Sequence, residues 1–261
     1  MADMTVRFYS DCLKRNTTFK VYMPIDFRKD PWVPVSEYKD RPIKTLFLLH
    51  GYTGDADNWV PTHLSDKYNF AVIIPNGENG FWLDGQSTGH MYATFLGEEL
   101  LTFVRKAFGL AMSPDDTYIC GLSMGGFGAL HTAFKYPDVF GKVIALSSAL
   151  IVHEVAEMKE GEGNDVANYD YYRECFGDPK KLLESENNPE TLIKKLKAEG
   201  KKIPEIFMSV GTEDFLLENN RRMHKFLEDE NVPHVYEEDK GIHDMEFWTR
   251  YVEKFVPIVF A

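Results

Sequence analysis

The chain has 261 residues, 44% of them hydrophobic and 27% charged, so it is long enough to bury the core of one large domain. Its formal net charge of −12 argues against nucleic acid and anionic membrane surfaces as partners, and no stretch approaches the roughly 18 apolar residues of a membrane span. The three cysteines have no CxxC spacing, and the N-terminal residues lack the basic and apolar regions of a secretory signal, which together favour a cytoplasmic protein.

Short β-rich runs alternate with longer helical patterns along the chain, as is typical of a mostly parallel sheet with helices on both faces. The first two runs, residues 5–10 and 18–23, alternate polar and apolar side chains and predict an antiparallel pair at one sheet edge. Nearly continuous apolar runs then predict five buried parallel strands at residues 45–50, 70–75, 117–121, 142–148 and 205–211. A run at residues 234–239 is the last strand candidate.

Helical spacing of apolar residues predicts connecting helices at residues 93–108, 127–136, 216–230 and 245–255. Residues 151–202 interrupt this alternation between the sixth and seventh strands. They are polar, acidic at first and helical at 189–197, and they are too long for a plain connection. We interpret residues 1–261 as a single α/β domain with a cap-like insertion at about 151–202 that partly covers a site.

A strand-to-helix turn carries the strongest chemical signal, Gly121-Leu122-Ser123-Met124-Gly125. Glycines on both sides of Ser123 permit the sharp turn that holds a serine in a strained, exposed conformation, and the following helix N-terminus supplies partial positive charge for an oxyanion. In an isolated loop the same pattern would be a plain turn. Between a strand and a helix it predicts a catalytic nucleophile.

A serine nucleophile needs a general base and an orienting acid, in the chain order Ser, Asp or Glu, His. Asp214 follows the strand at 205–211, at the sheet edge where catalytic groups gather, and its neighbour Glu213 is the rival for the acid. His243 follows the last strand candidate after the acid, whereas the other histidines are interpreted as solvated or core residues. Ser123, Asp214 and His243 are therefore the predicted catalytic triad.

Two backbone N–H groups are needed for the developing oxyanion. We assign them to Met124, directly after the nucleophile, and to Tyr52, in the loop that follows the strand at 45–50. His50 lies where this strand meets the loop, and no carboxylate or histidine lies at ligand spacing from it. A structural role in bracing the loop is therefore favoured for His50, and no metal site is predicted.

Trp82 follows a glycine-rich turn that lacks the spacing of a nucleotide-binding loop. Aromatic residues such as Trp82 are more often part of the core than substrate contacts. Because Trp82 lies in a loop at the expected end of a strand, we nevertheless predict that it contacts substrate. Together with the insertion at 151–202, this loop is predicted to shape the pocket and to restrict it to short acyl groups. The polar, lysine-rich insertion does not suit a lid that meets an oil interface.

With these residues assembled, the sequence resembles the esterase D branch of the α/β-hydrolases, which includes tributyrin esterases, S-formylglutathione hydrolases, and acetyl xylan or feruloyl esterases. The resemblance runs nearly end to end and is carried by HGYTGDADNW at 50–59, PNG and FWLD within 75–84, GLSMGGFGAL at 121–130, KYPDVFGKVIALSS at 135–148, GTEDFL at 211–216 and GIHDMEFW at 241–248. It implies the α/β-hydrolase fold and hydrolysis of acetyl to butyryl groups from alcohols, phenols or sugars, without metal or organic cofactor. Formylglutathione hydrolases typically carry a cysteine soon after the His-Gly pair, and Thr53-Gly54-Asp55 has none, which brings the chain closer to the tributyrin and acetyl esterases.

The sequence therefore predicts a serine carboxylesterase that acts on short-chain acyl esters, including acetylated sugars or hydroxycinnamoyl esters, through an acyl-enzyme intermediate. An S-formylglutathione thioesterase and an acyltransferase would use the same triad, while a noncatalytic binding protein would have no use for it. The expected partner is a small-molecule or oligosaccharide ester rather than nucleic acid or membrane. Assembly into a homo-oligomer is left open by the sequence.

Overall fold

Eight strands form one sheet in the order β1-β2-β4-β3-β5-β6-β7-β8 in this computed structural model, which describes residues 2–26, 32, 35–57 and 61–261. In chain order the strands are β1 (Ala2–Ser10), β2 (Arg15–Met23), β3 (Lys44–Leu49), β4 (Phe70–Pro75), β5 (Thr117–Leu122), β6 (Lys142–Leu146), β7 (Glu205–Gly211) and β8 (His234–Asp239). The β1–β2 and β2–β4 pairs are antiparallel, and every pair from β4 to β8 is parallel. The predicted mostly parallel sheet with an antiparallel pair at one edge is confirmed.

Helices cover both faces of the sheet. They are α1 (Thr62–Tyr68), α2 (Tyr92–Thr94), α3 (Leu101–Phe108), α4 (Met124–Lys135), α5 (Val152–Glu157), α6 (Tyr169–Phe176), α7 (Pro179–Leu182), α8 (Pro189–Ala198), α9 (Leu217–Asp229) and α10 (Met245–Phe260). A π-helical turn, Phe95–Leu100, joins α2 to α3. The helix predicted at 93–108 therefore forms, but a π-helical turn interrupts its α-helical hydrogen bonding. Helix α4 begins three residues before its predicted start at 127.

The core lies on both sides of the sheet because successive side chains of a strand point to opposite faces. Along β3, Phe47 and Leu49 pack with residues of α3, α4 and α9, whereas Leu46 and Leu48 pack with residues of α1 and α10. All four are at most 2% exposed. Burial on both faces explains why the parallel strands are nearly continuous apolar runs.

The insertion between β6 and β7 contains four helices, α5 to α8, of which the sequence predicts only the last. The side chains of Asn168, Asp178 and Asn188 accept the N-terminal amides of α6, α7 and α8. Helices of four to eight residues are shorter than the window of about 11 residues over which apolar periodicity is recognised, which is why the pattern at 151–188 does not reveal α5, α6 and α7. Asn58 and Trp59, at the end of the 50–59 segment, lie outside the described residues. Among the described ranges, no helix is both long enough and apolar enough to cross a membrane.

Candidate active site

Ser123 occupies the tight turn between β5 and α4, with backbone angles φ 55° and ψ −119°. A Cβ atom added to Gly121 would lie 2.1 Å from the Gly125 carbonyl oxygen, and one added to Gly125 would lie 2.3 Å from the Leu49 carbonyl oxygen. Only glycine fits at either position. The unusual conformation of Ser123 costs on the order of 1–3 kcal/mol, and the hydrogen bond from its N–H to the Leu146 carbonyl, at 2.9 Å, helps to hold it.

The structure brings the three predicted triad residues into one hydrogen-bonded row. The Nε2 atom of His243 lies 2.9 Å from Ser123 Oγ, and Nδ1 lies 3.0 and 2.9 Å from the two carboxylate oxygens of Asp214. An Nδ1–H donating to Asp214 leaves the Nε2 lone pair facing the serine hydroxyl, which is the tautomer that a general base requires. The Asp214 side chain is completely buried and that of His243 is 17% exposed.

The environment of Asp214 keeps its carboxylate ionised. Burial acts to raise the pKa of Asp214, but hydrogen bonds from His243 and from the Leu216 N–H, the latter at 2.8 Å, outweigh burial and lower this pKa below its usual value. Glu213 is exposed, and its backbone N–H donates to the Gly241 carbonyl at 3.0 Å, which joins the acid loop to the histidine loop. Asp214, and not Glu213, therefore contacts the histidine.

The two predicted oxyanion donors come from two parts of the chain, the nucleophile turn and the loop after β3. Met124 is the first residue of α4, and Tyr52 lies in the loop after β3. Within the described part of the chain, neither backbone N–H donates a hydrogen bond, so both are available to an oxygen atom. The Tyr52 loop is held by the Thr53 N–H, which donates to Asn79 Oδ1 at 2.8 Å.

His50 braces the same loop, in the structural role that the sequence favours. The Gly77 N–H donates to His50 Nε2 at 3.0 Å, and the Nδ1–H donates to the Gly51 carbonyl at 2.8 Å. Burial lowers the pKa of His50, so the ring stays neutral with both nitrogens paired. No group of three metal-ligating side chains is found in the ranges that the structure describes.

The structure corrects the predicted role of Trp82. Its side chain is 0% exposed, its indole N–H donates to the His50 carbonyl at 3.3 Å, and its ring lies 5.0 Å from the His50 ring. A Cβ atom added to Gly128 of α4 would lie 2.4 Å from this indole. Substrate has no surface through which to reach Trp82, which instead supports the loop that carries Tyr52.

Two aromatic side chains beside His243 are absent from the sequence prediction of the site. The Phe215 ring centroid lies 4.5 Å from the imidazole centroid, and the Trp248 ring stands nearly perpendicular to the imidazole at 4.8 Å. Trp248 is 8% exposed, whereas Phe215 is 73% exposed. A signal for both exists in the sequence, because Phe215 directly follows the acid and Trp248 lies in the first turn of the helix after the base.

The whole site lies within a region that matches known proteins. Residues 10–258 match the Esterase family model. An acetyl esterase of Caldicellulosiruptor saccharolyticus is 42% identical over 261 residues, covering 97% of this chain and 96% of that protein. Two solved structures from Staphylococcus aureus are each 26% identical to this chain. The fluorophosphonate-binding serine hydrolase FphF has a TM-score of 0.84 and covers 100% of this chain and 98% of its own. The S-formylglutathione hydrolase FrmB has a TM-score of 0.81 and covers 100% of this chain and 99% of its own. These matches confirm the α/β-hydrolase fold and the carboxylic ester hydrolase class predicted from the sequence.

Proposed function

Because the chain belongs to the Esterase family, we propose that it hydrolyses acetyl and other short acyl esters with Ser123 as nucleophile, His243 as general base and Asp214 as orienting acid. One observation carries this proposal: Ser123 Oγ lies 2.9 Å from a histidine nitrogen whose partner nitrogen is held by a buried carboxylate. The 42% identity to an acetyl esterase supports acetyl as the acyl group.

Acylation starts when Ser123 Oγ attacks the ester carbonyl carbon and its proton moves to His243 Nε2. The carbonyl oxygen gains the negative charge, and the N–H groups of Met124 and Tyr52 bind it. Asp214 stabilises the imidazolium. The bond between the carbonyl carbon and the alcohol oxygen then breaks as Nε2 gives its proton to that oxygen, which leaves the acyl group on Ser123 and releases the alcohol.

Deacylation repeats these steps with water. Water attacks the acyl carbon and gives a proton to His243 Nε2; the bond to Ser123 Oγ breaks, and Nε2 returns the proton to Ser123. The net reaction converts ester and water into carboxylic acid and alcohol. An acyltransferase would use the same residues with an alcohol in place of water, so product analysis with and without an added alcohol acceptor separates the two activities.

The contacts of the insertion support its predicted part in shaping the pocket and argue against a lipase lid. Tyr171 of α6 packs edge-on against Tyr52, with 6.1 Å between ring centroids, and its hydroxyl donates to the Asn79 carbonyl. The insertion is thereby braced against the loop that carries an oxyanion donor. Its exposed large apolar side chains are Val166 and Leu183, which do not form the broad apolar face that a lipase lid needs.

A chain-length series tests the acyl preference. We would measure kcat/KM for acetyl, butyryl, octanoyl and palmitoyl esters, below and above their solubility limits. A steep fall beyond butyryl is expected, whereas high activity on the palmitoyl ester or a jump at the solubility limit would show a lipase. Acetylated xylan oligomers, methyl ferulate and S-formylglutathione, run beside the series, distinguish the sugar, hydroxycinnamoyl and thioester substrates.

We further propose that the enzyme works in the cytoplasm on a small-molecule or oligosaccharide ester. The three cysteines, Cys12, Cys120 and Cys175, are all free thiols, which is in keeping with a reducing compartment. Cell fractionation followed by detection of the protein tests the location, and recovery of the protein outside the cytoplasm would contradict it.

A further inference from the structure

We propose that Phe215 recognises the alcohol part of the ester and selects alcohols whose ring presents a flat apolar face, such as a pyranose or a phenol. Resting on the proposed function, this assignment makes Phe215 a specificity-determining residue of the same site. Phe215 lies between two buried residues, Asp214 and Leu216, each 5% exposed as whole residues, yet Phe215 as a whole is 73% exposed. The fold therefore turns this ring toward solvent at the position next to the catalytic acid.

The contact with His243 distinguishes Phe215 from an ordinary exposed apolar residue. Isolated exposed apolar side chains are common and need no explanation. The Phe215 ring, however, lies 4.5 Å from the imidazole centroid with 48° between the ring planes. Trp248, the other aromatic ring on His243, is buried and contributes to the core, whereas Phe215 buries little surface and leaves most of its ring available to a ligand.

The chemistry of the reaction determines which part of the substrate meets this ring. His243 Nε2 gives its proton to the alcohol oxygen as the ester bond breaks, so that oxygen comes within about 3 Å of Nε2. The group attached to that oxygen then lies beside the imidazole and within reach of Phe215. The carbonyl oxygen is bound on the side of Met124 and Tyr52, and the ring therefore meets the alcohol rather than the acyl group.

An alcohol whose ring presents a flat apolar face fits the exposed face of the Phe215 ring. Aromatic pairs gain from stacked or edge-on contacts beyond the area they bury, and the C–H face of a pyranose presents a similar flat apolar surface. A straight-chain alcohol has no such face. Phenols and sugars share this chemistry, and separate substrates distinguish them.

The test compares two groups of acetate esters in each protein. Phenyl acetate and a monoacetylated methyl xylopyranoside carry rings, while ethyl and butyl acetate do not. In Phe215→Ala and Phe215→Leu we expect kcat/KM for one or both ring esters to fall by about three- to tenfold relative to the straight-chain esters, mainly through KM. Phe215→Trp should retain the ring preference. The control is Tyr9→Ala, which removes the aromatic ring of a 56% exposed residue in β1, at the opposite edge of the sheet from β8. It should leave the kcat/KM ratio of ring to straight-chain esters unchanged.

The ratio of kcat/KM for the ring esters to kcat/KM for the straight-chain esters also separates this proposal from the proposed function. An equal fall in kcat/KM for all four esters would make Phe215 a positioning residue for Asp214 or His243. Unchanged kcat/KM values for all four esters would show that the Phe215 ring does not contact the alcohol. Either result overturns the proposal, while ester hydrolysis stands. Failure of the folded wild-type protein to hydrolyse any of the esters would instead overturn the proposed function. Because Phe215→Leu keeps most of the side-chain bulk, the kcat/KM ratio can be measured in this variant if Phe215→Ala does not fold.

Discussion

The Nε2–H of His131, within α4, donates to the backbone carbonyl of Glu186 in the insertion across 3.0 Å. The imidazole is 0% exposed, and its Nδ1 has no hydrogen-bond partner among the residues that the structure describes. Burial, with a further contribution from the positive charge of Lys135, lowers the pKa of His131 to about 4. A neutral histidine therefore joins the insertion to the helix that follows the nucleophile.

Acid should destabilise the protein through this residue. Between the usual histidine pKa of 6.5 and about 4, the unfolded chain binds a proton that native His131 does not, so the free energy of unfolding falls as the pH decreases through this range. A single group with this shift accounts for roughly 3 kcal/mol. In His131→Gln, which keeps an N–H donor but does not titrate, the loss of stability between about pH 7 and pH 4 should be smaller by this amount.

Urea unfolding at several pH values measures this difference. His63→Gln is the matched control because its side chain is 64% exposed and lies on α1, on the other face of the sheet. Equal pH slopes for the wild type and His131→Gln would show that His131 does not carry the acid sensitivity.

Asp214→Asn should lower kcat by about 10⁴ with little change in KM, because an amide in place of the carboxylate favours the wrong tautomer of His243. Glu213→Gln should leave kcat nearly unchanged, since Glu213 is exposed and the carboxylate that His243 contacts is that of Asp214. Steady-state kinetics on one acetate ester checks both variants. The reverse pattern would assign the acid to Glu213 while leaving the enzyme class intact.

Trp82→Ala should lower the free energy of unfolding by about 3–5 kcal/mol, because it leaves a large cavity between the His50 loop and α4. Trp32→Ala removes a tryptophan that is 77% exposed and should cost far less. Denaturant unfolding of the two variants makes the comparison. Wild-type stability in Trp82→Ala, combined with a relaxed acyl-length preference, would favour the substrate contact predicted from the sequence over the buried role.

The sheet and the positions of the triad can be predicted because their signals are local and strong. Apolar runs mark strands that are buried on both faces, and the crowding around Gly121 and Gly125 leaves only glycine as an option. Once Ser123 is located, chain order restricts the acid and base to loops after later strands. The structure then brings together Ser123 and His243, which are 120 residues apart in the chain.

The orientation of loop side chains cannot be predicted in the same way. Phe81 and Trp82 both have left-handed backbone conformations, with φ of 50° and 57°, and these turn the indole into the core. Bulky aromatic residues rarely adopt this conformation, so nothing in the sequence indicates it. The contact between Phe215 and His243 depends likewise on how two distant loops meet. The position of Phe215 after the acid indicates that it lies near the site, but not which ring it contacts.

The nucleophile assignment is tested most directly by Ser123→Ala together with a fluorophosphonate probe. We predict that Ser123→Ala lowers kcat for hydrolysis of a nitrophenyl acetate by about 10⁶, while its circular dichroism and unfolding free energy stay close to those of the wild type. Mass mapping should find the probe on Ser123 of the wild type and no label on the variant. A folded Ser123→Ala protein with wild-type turnover, or a probe bound to another serine, would contradict the assignment of Ser123 as the nucleophile.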